Sequence, residues 1–453
     1  MSQQNETKQQ NETKQQTETK QQQGAETSQG QPPAETPQQP ETSQQAPQKP
    51  LHIAIAAGGT AGHVNPALAL AEELTQRGHK VSFYGQPNRL EAKLVPEAGY
   101  DFVALRLTGF DRSRPWTLPI ALWNMYKAQK YLQQYFSEHQ APDAAVGFGA
   151  YVELPLVRWC HANNVPYLLH EQNSVIGLAN KISARQAARI CVAFPAAQQA
   201  FAHILGEKTN DAVESDAGVE STANVESSAP SRVPVTSTAS SCIVLTGNPV
   251  RKSVINATRD EARKKLDIPA DAQLLAVVGG SLGAQHVNAT IATLKDAILG
   301  SKNLYVIHST GAADFDKTVE ALQLTDEEKK RYRLLPYIAN MGDVLAAADL
   351  IISRAGASSI AEISALCVPA ILVPYPFATA DHQTTNAQRL VDCGAALLFP
   401  DDQLDFPLFA QELFSLLHNE KRLADMRHAA ASLRSSSAAA QLADEVESVY
   451  KAH

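Results

Sequence analysis

Chemistry is most concentrated in the run Ser353-Arg354-Ala355-Gly356-Ala357-Ser358-Ser359-Ile360-Ala361-Glu362, where the apolar stretch Leu350 to Ile352 meets a small-residue turn and then helix-favouring residues. Unpaired backbone N–H groups gather where a strand hands over to a helix, and together with the helix dipole they attract an anion. Glu362 falls about one turn into that helix. There a carboxylate can accept both hydroxyls of a ribose whose phosphate sits at the turn. A second group is Gly58-Gly59-Thr60-Ala61-Gly62-His63. His63, an imidazole at the tip of a glycine-rich turn, titrates near neutral pH and is the candidate general base. Glu171, in His170-Glu171-Gln172-Asn173, is the alternative base, with His170 read as structural. Each stretch taken alone also fits an ordinary αβ connection, with Glu362 on a solvated face and His63 bonded to backbone.

Paired α/β halves must position these residues. His52 to Ala57 reads as a buried strand, the glycine turn follows, and Pro66 is expected to open a helix through Ala67, Leu70, Ala71 and Leu74. Strands are expected at Lys80 to Tyr84, Phe102 to Leu105, Ala144 to Gly147, Tyr167 to Leu169 and Arg189 to Val192. The second half repeats the opening with Leu274 to Val278, then Gly279-Gly280-Ser281-Leu282-Gly283 and a helix through Val287, Ile291 and Leu294. Further strands are expected at Leu304 to Ile307, Arg333 to Leu335, Leu350 to Ile352, Ala370 to Val373 and Ala396 to Phe399. Strands alternating with helices imply parallel sheets covered on both faces, and two such halves imply a ligand cleft between them.

Residues 1–50 repeat Asn-Glu-Thr-Lys-Gln-Gln and lack large apolar side chains, so they are expected to be disordered. Residues 206–240, rich in Ser, Ala, Thr, Val and Glu, read as a disordered insertion. The expected division is therefore a tail at 1–50, a first domain at 51–247, a second at 248–435 and a closing helix at 436–453 that returns to the first domain. The formal charge of −8 is mostly carried by the tail (six Glu, four Lys) and the insertion (six acidic, two basic residues), which leaves about −2 elsewhere and argues against nucleic-acid binding. Five cysteines without CxxC or Cys/His spacing read as buried free thiols rather than a zinc site or a disulfide framework. No apolar run is long enough to span a bilayer and no signal peptide is evident, which implies a cytoplasmic chain. Between Arg106 and Phe136, Phe110, Trp116, Ile120, Leu122 and Trp123 interleave with Arg112, Arg114, Lys127 and Lys130. Such a stretch suits an anionic membrane surface, although helical periodicity favours core packing for Trp123 and Tyr126.

Six ordered blocks together resemble the MurG family of bacterial N-acetylglucosamine transferases, in glycosyltransferase family 28. They are Gly58 to His63 with Pro66, His170 to Asn173, Gly247-Asn248-Pro249-Val250-Arg251, Gly279-Gly280-Ser281, Ser353 to Glu362, and His382-Gln383 with Asn386. The likeness runs from about Leu51 to the C-terminus, outside the insertion. It implies a GT-B fold: two Rossmann-like domains about a cleft, the acceptor held mainly by the first and the nucleotide sugar mainly by the second. It implies transfer of N-acetylglucosamine from UDP-N-acetylglucosamine to the muramyl C4 hydroxyl of lipid I at the cytoplasmic face of the cell membrane. Wall-synthesis and division proteins are the implied protein partners.

By matching position, the resemblance implies that Thr60, Ala61 and Gly62 face the donor's sugar and diphosphate. It further implies that Asn173 touches the sugar, and that Arg251 and Ser281 touch the diphosphate. Ile338 is matched to the backbone contact with uracil, Ala357, Ser358, Ser359 and Ile360 to the diphosphate-binding helix start, Glu362 to the ribose, and Gln383 to a sugar hydroxyl. The chain departs from the family at Ala61, Leu282 and Ala150, where glycine, glutamine and glycine are common; a methyl at Ala61 requires negative φ there. No Asp-x-Asp pair ends an expected strand. The helix start with Arg251 is therefore expected to stabilise the leaving diphosphate without a bound metal or other cofactor. The rival readings are another GT-B nucleotide-sugar enzyme, such as a glycolipid glycosyltransferase or a UDP-N-acetylglucosamine 2-epimerase, and a non-catalytic nucleotide-sugar-binding module.

Overall fold

A computed structural model describes residues 49–109, 115–206, 242–280, 284–433 and 437–453. The expectations for the tail, for residues 207–241 of the insertion region, for Phe110, Arg112 and Arg114, and for Ser281 and Leu282 lie outside the described residues.

Two parallel sheets form, with their inner strands almost fully buried and the edge strands only partly so. The first contains β1 (His52–Ala56), β2 (Lys80–Gly85), β3 (Asp101–Ala104), β4 (Ala144–Gly147), β5 (Tyr167–Glu171), β6 (Arg189–Val192) and β7 (Ile243–Leu245), in the order β3-β2-β1-β4-β5-β6-β7. The second contains β8 (Gln273–Val278), β9 (Leu304–Ser309), β10 (Tyr332–Leu335), β11 (Leu350–Ser353), β12 (Ala370–Leu372) and β13 (Ala396–Leu398), in the order β10-β9-β8-β11-β12-β13. In each sheet the direction of winding reverses beside the first strand, between β1 and β4 and between β8 and β11. A crevice opens beyond the carboxyl ends of strands at such a reversal. The turns after β1, β4, β8 and β11 are therefore the ones topology exposes to a ligand.

Ile53, Ile55, Leu68, Leu70, Phe83, Val146 and Phe148 build one face of the first core, and Leu442, Ala443, Val446 and Val449 from the last helix (Ala438–Ala452) complete it. Arg77 fixes that helix from outside, through ion pairs of 2.6 Å to Asp444 and 3.1 Å to Glu447.

The first long helix begins at Ala61, not at Pro66 as the sequence suggests. Thr60 is extended, and its carbonyl accepts from the N–H groups of His63 and Val64, which starts the helix earlier. Pro66 then sits inside, lacks an N–H, and leaves the carbonyl four residues back, that of Gly62, without its helical partner.

The helix Leu118–Glu138 buries Ala121, Ala128, Leu132 and Phe136 along a narrow stripe. Trp123 and Tyr126 fall off that stripe and are 56% and 47% exposed, which corrects the core packing expected for them. Trp116, Ile120 and Leu122 are exposed beside them. Their rings stack on each other at 5.8 Å, with Lys127 5.4 Å from the Trp123 ring and Lys130 5.1 Å from the Tyr126 ring. Among the described residues no helix is long and apolar enough to cross a membrane. All five cysteines are free; Cys160 and Cys191 are buried as expected, whereas Cys242, Cys367 and Cys393 are only half-buried.

Candidate active site

The first half builds its cleft edge with buried carboxylates. Glu91 reaches from the helix after β2 and accepts from the N–H groups of Gly59 and Gln86, both at 3.0 Å, so one side chain ties the turns after β1 and β2 together. A Cβ at Gly58 would lie 2.4 Å from that carboxylate, so only glycine fits against it. Glu153 accepts from the Gly149 N–H at 2.6 Å, bending the turn after β4. Glu171 accepts from the N–H groups of Asn173 (3.1 Å) and Gly177 (2.8 Å) and from the amides of Asn173 (3.3 Å) and Asn180 (2.9 Å).

With donors on both oxygens, Glu171 shapes the loop after β5 and is not free to take a substrate proton, so it is a poor base for the role considered above. His170 is structural, as expected: Nε2 meets the Gly247 carbonyl at 3.0 Å and Nδ1 meets the Gln172 amide at 3.0 Å. Burial pushes its pKa down to about 4.

His63 stands at the rim of the cleft with Nδ1 3.0 Å from the Thr60 hydroxyl and no partner at Nε2 among the described residues. When that hydroxyl accepts the Nδ1 proton, Nε2 carries the lone pair a base needs. Burial, and then the neighbouring His382, push the His63 pKa down to about 4, which corrects the near-neutral titration expected from the sequence and leaves the imidazole neutral at pH 7. Ala61 opens the helix and is absent from the positive-φ residues, which satisfies the condition its methyl imposes.

Both halves present a helix start without a side-chain cap, at Ala61 in the first and at Ala357 in the second. Gly356 caps the helix Ala357–Ala365 through its backbone, and neither a side-chain cap nor an acidic residue occupies the first turn. The N–H groups of Ala357, Ser358 and Ser359 are thus left facing the crevice, the arrangement that binds anions. The Ser358 hydroxyl donates at 3.2 Å to the Gly62 carbonyl, the one Pro66 leaves unpaired, so the helix start docks against the first glycine turn. The Ile360 side chain is buried in the second-half core, and its N–H donates to the Gly356 carbonyl at 2.9 Å.

Glu362 lies one turn deeper. Burial raises its pKa to about 7 while the nearby Arg251 pulls it back. Arg251 keeps an unpartnered, buried Nε. Ile338 has a buried side chain, which leaves its backbone as the group a flat base could meet. Gln383 accepts from the Tyr375 N–H at 2.9 Å, which orients its amide NH₂ away. Asn386 bridges the halves: Oδ1 accepts from the Ser174 N–H at 3.0 Å, and Nδ2 reaches the Ala355 carbonyl at 3.3 Å and Asn173 Oδ1 at 3.5 Å.

Thr60, Ala61, Gly62, His63, Asn173, Ala357, Ser358 and Ser359 therefore converge across the cleft, with Glu362 deeper in the second half under the electrostatic influence of Arg251. Sequence reasoning missed Glu91 and Glu153, and it did not place His382 beside His63. An isolated Glu opening the otherwise apolar run Glu153-Leu154-Pro155-Leu156-Val157 was the available signal for one of them.

Residues 53–192 match the glycosyltransferase family 28 N-terminal domain and residues 274–444 the glycosyltransferase family 28 C-terminal domain. The chain is 30% identical over 403 residues to the UDP-N-acetylglucosamine–N-acetylmuramyl-(pentapeptide) pyrophosphoryl-undecaprenol N-acetylglucosamine transferase of Acetivibrio thermocellus, covering 88% of this chain and 99% of that protein. It is 35% identical to the protein of the same description from Salinibacter ruber, covering 87% and 96%. Its structure superposes on that of Acinetobacter baumannii MurG with a TM-score of 0.60 at 26% identity, covering 88% of this chain and 100% of that one. The calicheamicin glycosyltransferase CalG4, 17% identical with a TM-score of 0.57, shares the fold. The chain belongs to glycosyltransferase family 28, in the family formed by these N-acetylglucosamine transferases.

Proposed function

We propose that the protein transfers N-acetylglucosamine from UDP-N-acetylglucosamine to the C4 hydroxyl of the muramyl sugar in undecaprenyl-pyrophosphoryl-N-acetylmuramyl pentapeptide, lipid I, with inversion at the transferred carbon. The observation that carries this reading is the uncapped helix start at Ala357 to Ser359, held against Gly62 and opposite His63, with Glu362 one turn behind it.

The donor diphosphate lies on the free N–H groups of that start, with Arg251 beside it. The Ile338 backbone meets uracil, and Glu362 accepts from the ribose hydroxyls. The Gln383 amide and Asn173 meet sugar hydroxyls, and the turn Thr60-Ala61-Gly62 closes over the sugar and diphosphate. His63 Nε2 takes the proton from the C4 hydroxyl as its oxygen bonds to the anomeric carbon. The bond from that carbon to the diphosphate breaks in the same displacement, and UDP leaves with the electron pair, its charge spread over the helix start. Those N–H groups and Arg251 do electrostatically what a divalent cation does in other transferases.

The lipid of the acceptor stays in the bilayer, so the protein works as a peripheral enzyme on the cytoplasmic leaflet. The exposed face bearing Trp116, Ile120, Leu122, Trp123 and Tyr126, with Lys127 and Lys130 beside it, is its contact with anionic lipid. The first domain carries the acceptor and the second the nucleotide sugar.

Purified protein given lipid I analogue and radiolabelled UDP-N-acetylglucosamine, UDP-N-acetylgalactosamine or UDP-glucose, with and without EDTA, tests this. Transfer from the first donor alone, undiminished by EDTA, is expected. Conversion of the donor to UDP-N-acetylmannosamine without transfer would establish the epimerase instead, and UDP binding without product would establish a binding module.

A further inference from the structure

Beside the first glycine turn lies a second concavity, a cleft of about 470 Å³ lined by Gln86, Asn88, Arg89, Arg106, Thr108 and Tyr151. Its volume is that of a small-ligand site. Arg89 and Arg106 are exposed, and neither has a carboxylate partner among the described residues. The cleft is built rather than incidental. Tyr151 Oη donates to Gln86 Oε1 at 2.6 Å, and the Gln86 amide in turn donates to the Leu107 carbonyl at 2.5 Å. The Gln86 N–H is held by the same Glu91 carboxylate that holds Gly59, so the cleft wall is one side chain away from the turn that carries His63. On its other side Thr108 accepts from Asn124 at 2.8 Å, on the helix whose outer face bears the exposed tryptophan and tyrosine rings.

Resting on the acceptor reading above, we propose that this cleft holds the peptide of the acceptor, with Arg89 and Arg106 pairing with its carboxylates. The peptide leaves the muramyl sugar at the carbon next to the reacting hydroxyl, so it must run along the surface nearest His63. A peptide attached through its N-terminus carries at least one free carboxylate, which a guanidinium fork pairs with in bidentate fashion. The lining favours a peptide over the acceptor's diphosphate. A diphosphate offers only acceptors, whereas the exposed Asn88 and Thr108 present both donors and acceptors, as peptide amides require.

The test uses the full chain with two lipid-linked acceptors, one bearing the pentapeptide and one bearing none. Arg89→Ala and Arg106→Ala should each lower kcat/KM for the pentapeptide acceptor by about tenfold or more. The peptide-free acceptor should be used equally well by variants and parent, and Arg→Lys at each position should restore activity partly, since the charge remains without the fork. An equal loss on both acceptors would assign the arginines to the diphosphate, and no loss on either would empty the cleft of function; both outcomes overturn the proposal. Failure of the parent protein to glycosylate either acceptor would instead overturn the acceptor reading itself.

Discussion

The two halves of the molecule share a strand order over six strands, yet they differ in how many backbone N–H groups at their cleft edges are held by buried carboxyl groups. In the first half Glu91, Glu153 and Glu171 are buried beneath the turns after β1, β4 and β5 and absorb those N–H groups. In the second half the helix start at Ala357 has no such carboxylate, and the buried charge at the corresponding edge is a cation. Arg354 donates to the carbonyls of Val373 (3.3 Å) and Pro374 (3.0 Å) and pairs with Asp401 at 2.5 Å. Amides held by buried carboxyl groups, such as those of Gly59, Gly149 and Gly177, have no N–H left for phosphate. A half that leaves them open is an anion site in waiting. On the proposed reading, the same fold is specialised by where its carboxylates are placed, into a platform for a neutral hydroxyl and a receptor for a charged leaving group.

The largest expected effect comes from removing the one reactive group the first half contributes. His63→Ala should lower kcat by about 10²- to 10⁴-fold while donor KM stays close to the parent value, a split that initial-rate kinetics reads directly. A raised donor KM with unchanged kcat would place His63 on the donor side and erase the proposed division.

The next change makes the second half imitate the first. Ser359→Asp puts a carboxylate where helices favour one, so the melting temperature should hold or rise. Donor kcat/KM should nevertheless fall by about 10²- to 10³-fold, because the anion site is then filled from within. Loss of stability instead would mean that the first turn is not free.

A smaller effect follows from Glu362, whose carboxyl burial pushes up to about 7. Ribose hydroxyls donate to the ionised form, so donor KM should climb about tenfold per pH unit as pH falls below about 7. Glu362→Gln should remove that slope and bind donor about tenfold more weakly at pH 8.

The smallest effect concerns Glu153. Burial, with Glu171 adding repulsion, raises its carboxyl from an ordinary 4.5 to about 8, and Oε1 has no partner. An acid whose folded pKa is raised favours the fold fully below its unfolded pKa and loses that advantage as pH rises through the folded value. Thermal melts should therefore show stability declining between about pH 4.5 and 8. Glu153→Gln, which keeps an acceptor for Gly149, should flatten that decline with little change in kcat.

The strands and the first glycine opening were legible because a buried parallel strand reads as a short apolar run with turn residues after it. The helix start at Ala357 was legible for the same local reason. What escaped were features made by meetings across the chain. Glu91 acts on Gly59, 32 positions away, and nothing in either segment alone marks the pairing. The Gly62 carbonyl becomes an interdomain acceptor only because Pro66 withholds an N–H and Ser358 arrives from the other half. The exposed rings of Trp123 and Tyr126 were misjudged because helical spacing permits them a core position; the narrowness of the Ala121, Ala128, Leu132 and Phe136 stripe emerged only from packing.

A crystal structure with UDP bound would bear most directly on this division of labour. Pyrophosphate oxygens should lie within hydrogen-bond distance of the N–H groups of Ala357, Ser358 and Ser359, with both ribose hydroxyls on Glu362. Pyrophosphate seated on the turns above Glu91 or Glu153, with Glu362 away from the ribose, would contradict it.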